Sequence, residues 1–211
     1  ISFSSTKLWQ SSSERRWLPF IVLLLGYAII IGCLGGCYAI ANARGHLSGQ
    51  PTPPAISMLG DQMPEHALFL VGFILLAICM AYCIYFRAGQ IDSSQPRSVL
   101  NLITFGLALV GLAAIVVMAA IPTSSSIGIV HLSAAGVGMG LLSLYGLILS
   151  AACLFWSCGR SQPDPKVPRL PRFACYSITC ISSILGPVLF GIWLSNVDRT
   201  LFEWFGVASV F

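Results

Sequence analysis

Hydrophobic residues occur along this chain in six long blocks, and the connections between the blocks hold most of the polar residues. The blocks cover residues 17–40, 67–86, 99–121, 127–156, 173–194 and 200–211. Each of the first five has about the 20 residues that an α-helix needs to cross roughly 30 Å of hydrocarbon. Because an open strand in lipid leaves its backbone hydrogen-bonding groups without partners, the blocks predict helices.

The pattern therefore predicts an all-α, polytopic membrane protein, built as a bundle of six transmembrane helices. Residues 1–211 form a single membrane domain, in which residues 1–16 are a cytosolic N-terminal segment. The last block stops at Phe211, so we expect a truncated sixth helix and a longer natural chain, and the opening on Ile1 leaves an incomplete start open as well. Composition agrees: 56% hydrophobic and 9% charged residues leave too few polar side chains to cover a soluble globule.

The basic residues predict the orientation, because Lys and Arg are retained on the cytosolic side during insertion. With the N-terminus in the cytosol, nine of the 11 basic residues fall on the cytosolic side, and only Arg44 and Arg199 fall on the other. The net charge of +4 is thus explained by topology, and nucleic-acid binding is not expected. The cytosolic set consists of Lys7, Arg15, Arg16, Arg87, Arg97, Arg160, Lys166, Arg169 and Arg172.

Four of these residues form a cytosolic basic loop between the fourth and fifth blocks. They are Arg160, Lys166, Arg169 and Arg172, and Pro163, Pro165 and Pro168 among them favour an extended chain. The loop either serves only to orient the helices or touches anionic lipid or a cytosolic partner.

The eight cysteines do not indicate a disulfide framework, because none lies in an outer loop. Cys33 with Cys37 and Cys79 with Cys83 are spaced four apart, as metal ligands on a helix face can be. Packing in the bundle is favoured over metal binding, since no His or acid lies at the same depth. Cys153 and Cys158 are candidate palmitoylation sites near the cytosolic end of the fourth block.

Small residues predict where helices approach one another closely. Gly32 and Gly36 form a GxxxG motif in the first block, and Gly136 and Gly140 form another in the fourth. Contacts within one chain are favoured over homodimerisation. Pro187 is expected to bend the fifth helix.

The remaining polar residues gather on the lumenal side. Two of them enter the membrane by about one turn, His131 in the fourth block and Glu203 in the sixth, and ionisable residues at that depth normally face the bundle interior with a partner. Our hypothesis is that His131 and Glu203 face one another or share a polar pocket. For Asp61, Glu65 and Asp198, helix capping and loop order are favoured over a functional role. The predicted lumenal polar cluster comprises His131, Glu203, Asp61, Glu65 and His66, with His46 on the same side.

These residues resemble a known family. The stretch from Pro53 to Asp61, followed by Pro64-Glu65 and Leu68-Phe69, is similar to the P-x-I-S-D-x-G and P-E-x-x-x-F patterns of the first lumenal loop in the DRAM/Frag/Sfk family. Ile129-Val130-His131 and Glu203-Trp204 are similar to further family positions. One departure is that Met58 stands where the family has Asp, with an acid appearing only at Asp61.

The resemblance implies a six-span protein of an endomembrane, including the lysosomal membrane, or of the plasma membrane, with both termini in the cytosol and no established catalytic residues. Family members act in autophagy, phosphoinositide-kinase recruitment or the remodelling of GPI-anchor lipids. We therefore expect a non-enzymatic regulator or scaffold, whose partners are membrane lipids and another membrane protein or a cytosolic complex. A lipid-remodelling enzyme or transporter with a lumenal pocket and a structural accessory subunit of a large membrane complex stay open as alternatives.

No catalytic residue, metal site or cofactor is predicted. The sequence shows no Ser-His-Asp set in a recognisable context, no cluster of metal ligands and no glycine loop for phosphate.

Overall fold

The computed structural model describes residues 17–49, 54–94 and 99–159, together with positions 177, 181, 183–185 and 188. Side chains are described as far as residue 88 in the second of these ranges and residue 152 in the third. The N-terminal segment 1–16, the basic loop with Arg160, Lys166, Arg169 and Arg172, and the predicted sixth span with Glu203 lie outside the described residues.

Five helices are present in the three described ranges. Four of them are long and apolar enough to cross a membrane, which confirms the first four predicted spans. The remaining helix is short and lies between the first two spans. The hydrophobic pattern did not predict it. In chain order the helices are α1 (Leu18–Ala43), α2 (Ile56–Leu59), α3 (Glu65–Ser94), α4 (Val99–Ala120) and α5 (Gly128–Gly159).

The long helices pack in the order in which they occur along the chain. α3 contacts both α1 and α4, and α4 also contacts α5. Because each long helix runs antiparallel to the one before it, the connections at 44–64 and 121–127 lie at the same end of the bundle. We call this end, defined by those two connections, the Asp61 end.

The α1–α3 interface is built from glycines and cysteines that face one another. A Cβ added at Gly72 would lie 2.7 Å from Cβ of Cys33, and one added at Gly26 would lie 3.0 Å from Cβ of Cys79. The thiol of Cys83 donates to the Pro19 carbonyl over 3.3 Å. The cysteines therefore pack between helices, as predicted, because small side chains let two backbones approach closely in lipid.

The GxxxG motifs account for only part of the helix contacts. Gly36 does face α3, where an added Cβ would lie 2.8 Å from Leu68, but among the described residues no atom lies within 4 Å of a Cβ at Gly32 or Gly140. The close contact between α4 and α5 is instead made by Gly111 and Gly138, since an added Cβ at either glycine would lie within 3.3 Å of the carbonyl oxygen of the other. Spacing predicted that glycines mediate contacts, but not which face of each helix makes them.

The outer surface of the bundle carries large apolar side chains. Ile31, Leu102 and Ile129 are each about 70% exposed, and they belong to three different long helices. An aqueous protein does not display this much apolar surface, so these side chains face lipid.

Described positions within the predicted fifth span are helical. Ser183 is buried, and a Cβ added at Gly146 of α5 would come within 2.5 Å of its Oγ. Ser183 therefore packs on α5, while the number of six spans stays a prediction.

Replacing Gly72 by Ala should destabilise the bundle, because the new methyl group would collide with the first side-chain carbon of Cys33, which cannot move without the backbone. Overpacking of this kind costs about 1–3 kcal/mol. The matched control is Gly32→Ala, which adds the same methyl group to a position without a neighbour in the described structure. Thermal unfolding in detergent should show a lower Tm for G72A than for G32A, and equal Tm values would contradict this interface.

Candidate functional site

The Asp61 end begins with the chain leaving α1 and folding back onto α3. Gly45, at φ +75°, reverses the direction of the chain, since glycine adopts a left-handed conformation without steric cost. The following segment reaches α2, whose residues Ile56 and Leu59 are buried in the same core as α3. The stretch that resembles the family pattern therefore contains a short buried helix, Ile56–Leu59. We call this helix the plug, because its apolar residues close this end of the bundle.

Gly60 determines how the plug is seated. A Cβ at this position would lie 2.4 Å from the ring of Phe69, so any larger residue would push α2 away from α3. The Gly60 carbonyl accepts a hydrogen bond from His66 Nδ1 over 2.7 Å, and this contact joins the end of the plug to the first turn of α3. Together these contacts position the next residue, Asp61.

Asp61 links the two connections at this end. Its Oδ1 accepts a hydrogen bond from the Thr123 hydroxyl and another from the Ser124 backbone N–H, both over 2.9 Å. Bonds to a carboxylate are stronger than those between neutral groups. Asp61 therefore holds the α4–α5 connection against the plug, although 62 residues separate it from Thr123.

Glu65 is the most deeply buried acid in the described structure, with 1% of its surface exposed. Its Oε1 accepts a hydrogen bond from His46 Nδ1 over 2.8 Å. Because Glu65 lies in the first turn of α3, its carboxylate also interacts favourably with the N-terminus of that helix. The Cys37 thiol donates to the Glu65 backbone carbonyl over 3.4 Å, which brings α1 to the same point.

The second carboxylate oxygen of Glu65 is not satisfied. Oε2 is buried and has no hydrogen-bond partner in the described structure. An unpaired buried acceptor costs about 1–3 kcal/mol, and more when it is charged. In a native fold such a group needs a partner that the described residues do not supply, such as an ordered water or a bound molecule.

A cavity of about 250 Å³ lies at this point. It contains both carboxylates described above, the His46 ring, and the two residues of the α4–α5 connection that hold Asp61. The residues that line it are Ala41, His46, Leu47, Met58, Leu59, Asp61, Gln62, Glu65, Thr123 and Ser124.

The predicted polar cluster is thus only partly assembled. Asp61 and Glu65 line the cavity, whereas His66 and His131 do not. His131 is buried on α5, and its Nδ1 donates to the Ile121 carbonyl over 2.6 Å, which ties the start of α5 to the end of α4. Since Glu203 lies outside the described residues, the pairing of His131 with Glu203 stays a hypothesis.

Three residues that form hydrogen bonds with Asp61 or Glu65 were not predicted as members of the polar cluster. His46 was predicted only to lie on the same side, and Thr123 and Ser124 lie in the short connection before α5, for which no functional role was predicted. The backbone N–H of Ser124 is used by Asp61, and a backbone group carries no sequence signal. The Ser125 hydroxyl donates to the Pro122 carbonyl, so it serves the local turn.

Replacing Asp61 by Ala should loosen the α4–α5 connection, because both hydrogen bonds to Oδ1 would be lost. Hydrogen–deuterium exchange at residues 121–128 should rise in D61A, reflecting a loss of about 1.5–3 kcal/mol for each bond to a charged acceptor. Asp61→Asn is the control, since its amide oxygen can still accept both bonds. If D61A exchanges no faster than D61N in this segment, Asp61 does not hold the connection.

Comparison with known proteins supports the sequence-based expectation. The family model described as the Frag1/DRAM/Sfk1/Cwh43P N-terminal domain matches residues 15–211. No curated protein and no solved structure gave a significant match. The match includes all four long helices and both connections of the Asp61 end. The chain is therefore an integral, multi-pass membrane protein that belongs to the Frag1/DRAM/Sfk1/Cwh43P family.

Proposed function

We propose that this protein is a non-enzymatic membrane regulator or scaffold that binds a polar group of a membrane component, either a lipid or another membrane protein, in the cavity at the Asp61 end. Its N-terminus lies in the cytosol, so that the cavity opens to the lumenal or extracellular side of an endomembrane or the plasma membrane. Regulation of autophagy or of phosphoinositide-kinase recruitment is the role that the family resemblance favours.

The observation that carries this proposal is a cavity whose polar groups are arranged for recognition. Asp61 is held by two donors of the α4–α5 connection, and Glu65 by His46. Polar groups fixed by the fold provide a pre-organised binding site, which reduces the entropic cost of binding. The unpartnered Oε2 of Glu65 is the group that a bound molecule would satisfy.

The position of the cavity favours an occupant from the membrane. It lies where α1 ends, at Ala43, and where α3 begins, at Glu65. The ends of membrane-spanning helices lie at the level of lipid headgroups, and the apolar lipid-facing surface begins directly beside them. A headgroup or a loop of a neighbouring membrane protein is therefore at the right depth to enter.

A lipid-remodelling enzyme is the second candidate, and one observation favours it. His46 contacts Glu65 through Nδ1, the arrangement in which a carboxylate orients an imidazole so that Nε2 can act as a base. The neighbouring hydroxyl of Thr123, however, donates to Asp61 instead of facing His46. Analysis of the acyl chains and headgroup of a bound lipid separates the two functions, because an enzyme alters the lipid and a binding protein releases it unchanged.

A bulky substitution at Ser124 tests whether the cavity is the binding site, because the new side chain should fill part of it. Ser124→Phe keeps the backbone N–H that Asp61 uses but adds an aromatic ring to the cavity lining. We expect this variant to lose the lipid or partner that the wild-type protein retains in native mass spectrometry from nanodiscs. Ser126→Phe is the matched control, since Ser126 is exposed in the same connection and does not line the cavity.

Both variants should keep the wild-type Tm. If S124F retains bound lipid and partners as fully as S126F does, the cavity is not the binding site.

The proposed orientation is tested with an epitope inserted after Gly49, in the exposed segment that precedes α2. We expect protease to spare this epitope in sealed microsomes, because the segment faces the lumen, and to remove an epitope placed at the N-terminus. Cleavage of the Gly49 epitope in sealed microsomes would reverse the orientation.

A further inference from the structure

We propose that the cavity at the Asp61 end takes a primary ammonium group, presented by a lipid with an amine headgroup of the phosphatidylethanolamine type. This inference rests on the proposed function and specifies the ligand of the same site. It follows from the charge of the cavity, from the unpaired carboxylate oxygen of Glu65, from the poor fit of a metal ion, and from the size of the cavity.

Charge selects a cation. The cavity is lined by two carboxylates, Asp61 and Glu65, and by His46, but no Lys or Arg is among the lining residues. Arg44, the basic residue nearest in sequence, has an exposed side chain and forms no ion pair with either carboxylate in the described structure. Phosphate or carboxylate groups would be repelled at this position, because like charges in a partly desolvated site interact strongly.

Glu65 lines the cavity and has a carboxylate oxygen that requires an N–H or O–H donor. Glu65 is 1% exposed, and its Oε2 is the buried carboxylate oxygen that lacks a hydrogen bond. A primary ammonium carries three N–H donors and a positive charge, so it satisfies Oε2 and compensates the charge at once. A quaternary ammonium carries no donor and is normally held by a cage of aromatic rings, which are not among the residues lining this cavity.

A metal ion fits the site less well than an ammonium group. Calcium takes six to eight oxygen ligands, typically several carboxylates and carbonyls. No group of three or more His, Cys, Asp or Glu side chains in the described part of the chain is placed to hold a metal ion. Two carboxylates, one of them already bonded to His46 and the other to Thr123 and Ser124, suit a ligand that brings its own donors.

Size and depth suit a small headgroup. The cavity of about 250 Å³ has room for an ethanolamine group. Leu47, Met58 and Leu59 line the same cavity and provide an apolar wall for the two methylene groups. The acyl chains of the lipid would extend along the apolar outer face of the helices.

The test uses the full chain reconstituted in nanodiscs of phosphatidylcholine that contain one second lipid at equal fraction. The second lipids form a methylation series: phosphatidylethanolamine, its N-monomethyl form and its N,N-dimethyl form. Along this series the charge stays constant while N–H donors are removed. Native mass spectrometry measures how much of each lipid the protein retains on release from the disc.

We expect phosphatidylethanolamine to be retained roughly tenfold better than phosphatidylcholine, with retention falling at each methylation, because a charged hydrogen bond contributes about that factor. Soluble phosphoethanolamine should displace the lipid, whereas soluble phosphocholine should not. Equal retention along the series, displacement by both soluble headgroups, or preference for an anionic lipid would overturn the proposal.

Two variants locate the ammonium group. Glu65→Gln and Asp61→Asn each remove a negative charge with little change in shape, and each should lower phosphatidylethanolamine retention roughly tenfold. Asp92→Asn is the matched control, because Asp92 lies on the same helix as Glu65 but near its opposite end. If E65Q lowers the Tm, D61N supplies the result, since its amide oxygen preserves the bonds to Thr123 and Ser124.

Failure of this inference is distinct from failure of the proposed function. If S124F loses a bound lipid but the wild-type protein shows no preference along the methylation series, the cavity binds lipid and the ammonium proposal is wrong. If S124F and S126F retain lipids and partners equally, the proposed function itself is wrong.

Discussion

The buried carboxylate of Glu65 is the group around which the Asp61 end of this protein is organised. A charged or strongly polar group with 1% exposure is stable only when the fold compensates it. The compensation comes from His46, which the chain brings back from the connection after α1, and from the N-terminal turn of α3. The thiol of Cys37 donates a hydrogen bond to the backbone carbonyl of Glu65, so α1 and α3 meet where the carboxylate is buried.

The rest of the site follows from this arrangement. The connection that carries His46 continues into the short helix α2, which is buried through Ile56 and Leu59 and seated through Gly60 against Phe69. That seating places Asp61 beside the connection between α4 and α5. Two acids, a histidine and two hydroxyl residues from three separate segments thereby line one cavity. One of these acids, Glu65, has a carboxylate oxygen without a partner in the described structure.

Lipid as the solvent explains how the helices hold this arrangement. Hydrophobic burial drives helices together weakly when the surrounding medium is itself apolar, so close packing of small residues and hydrogen bonds matter more. Gly72 against Cys33 and Gly111 against Gly138 provide close packing, and the thiols of Cys37 and Cys83 provide bonds to backbone carbonyls. Large apolar side chains are left on the outside, where they contact lipid.

The length and hydrophobicity of the blocks alone predicted the four long helices, because the requirement to span the hydrocarbon acts on each segment separately. The same local argument predicted that acids and histidines would collect at one side, and family resemblance drew attention to the stretch ending at Asp61. Which groups meet was decided by tertiary structure: His46 reaches Glu65 across 19 residues, and Asp61 reaches Thr123 across 62. Those contacts depend on how two loops fold over the end of the bundle and on a backbone N–H, and neither leaves a periodic pattern in the sequence. The glycine faces were decided in the same way, since a helix with apolar residues on every side does not reveal which of its glycines, Gly32 or Gly36, will face a neighbour.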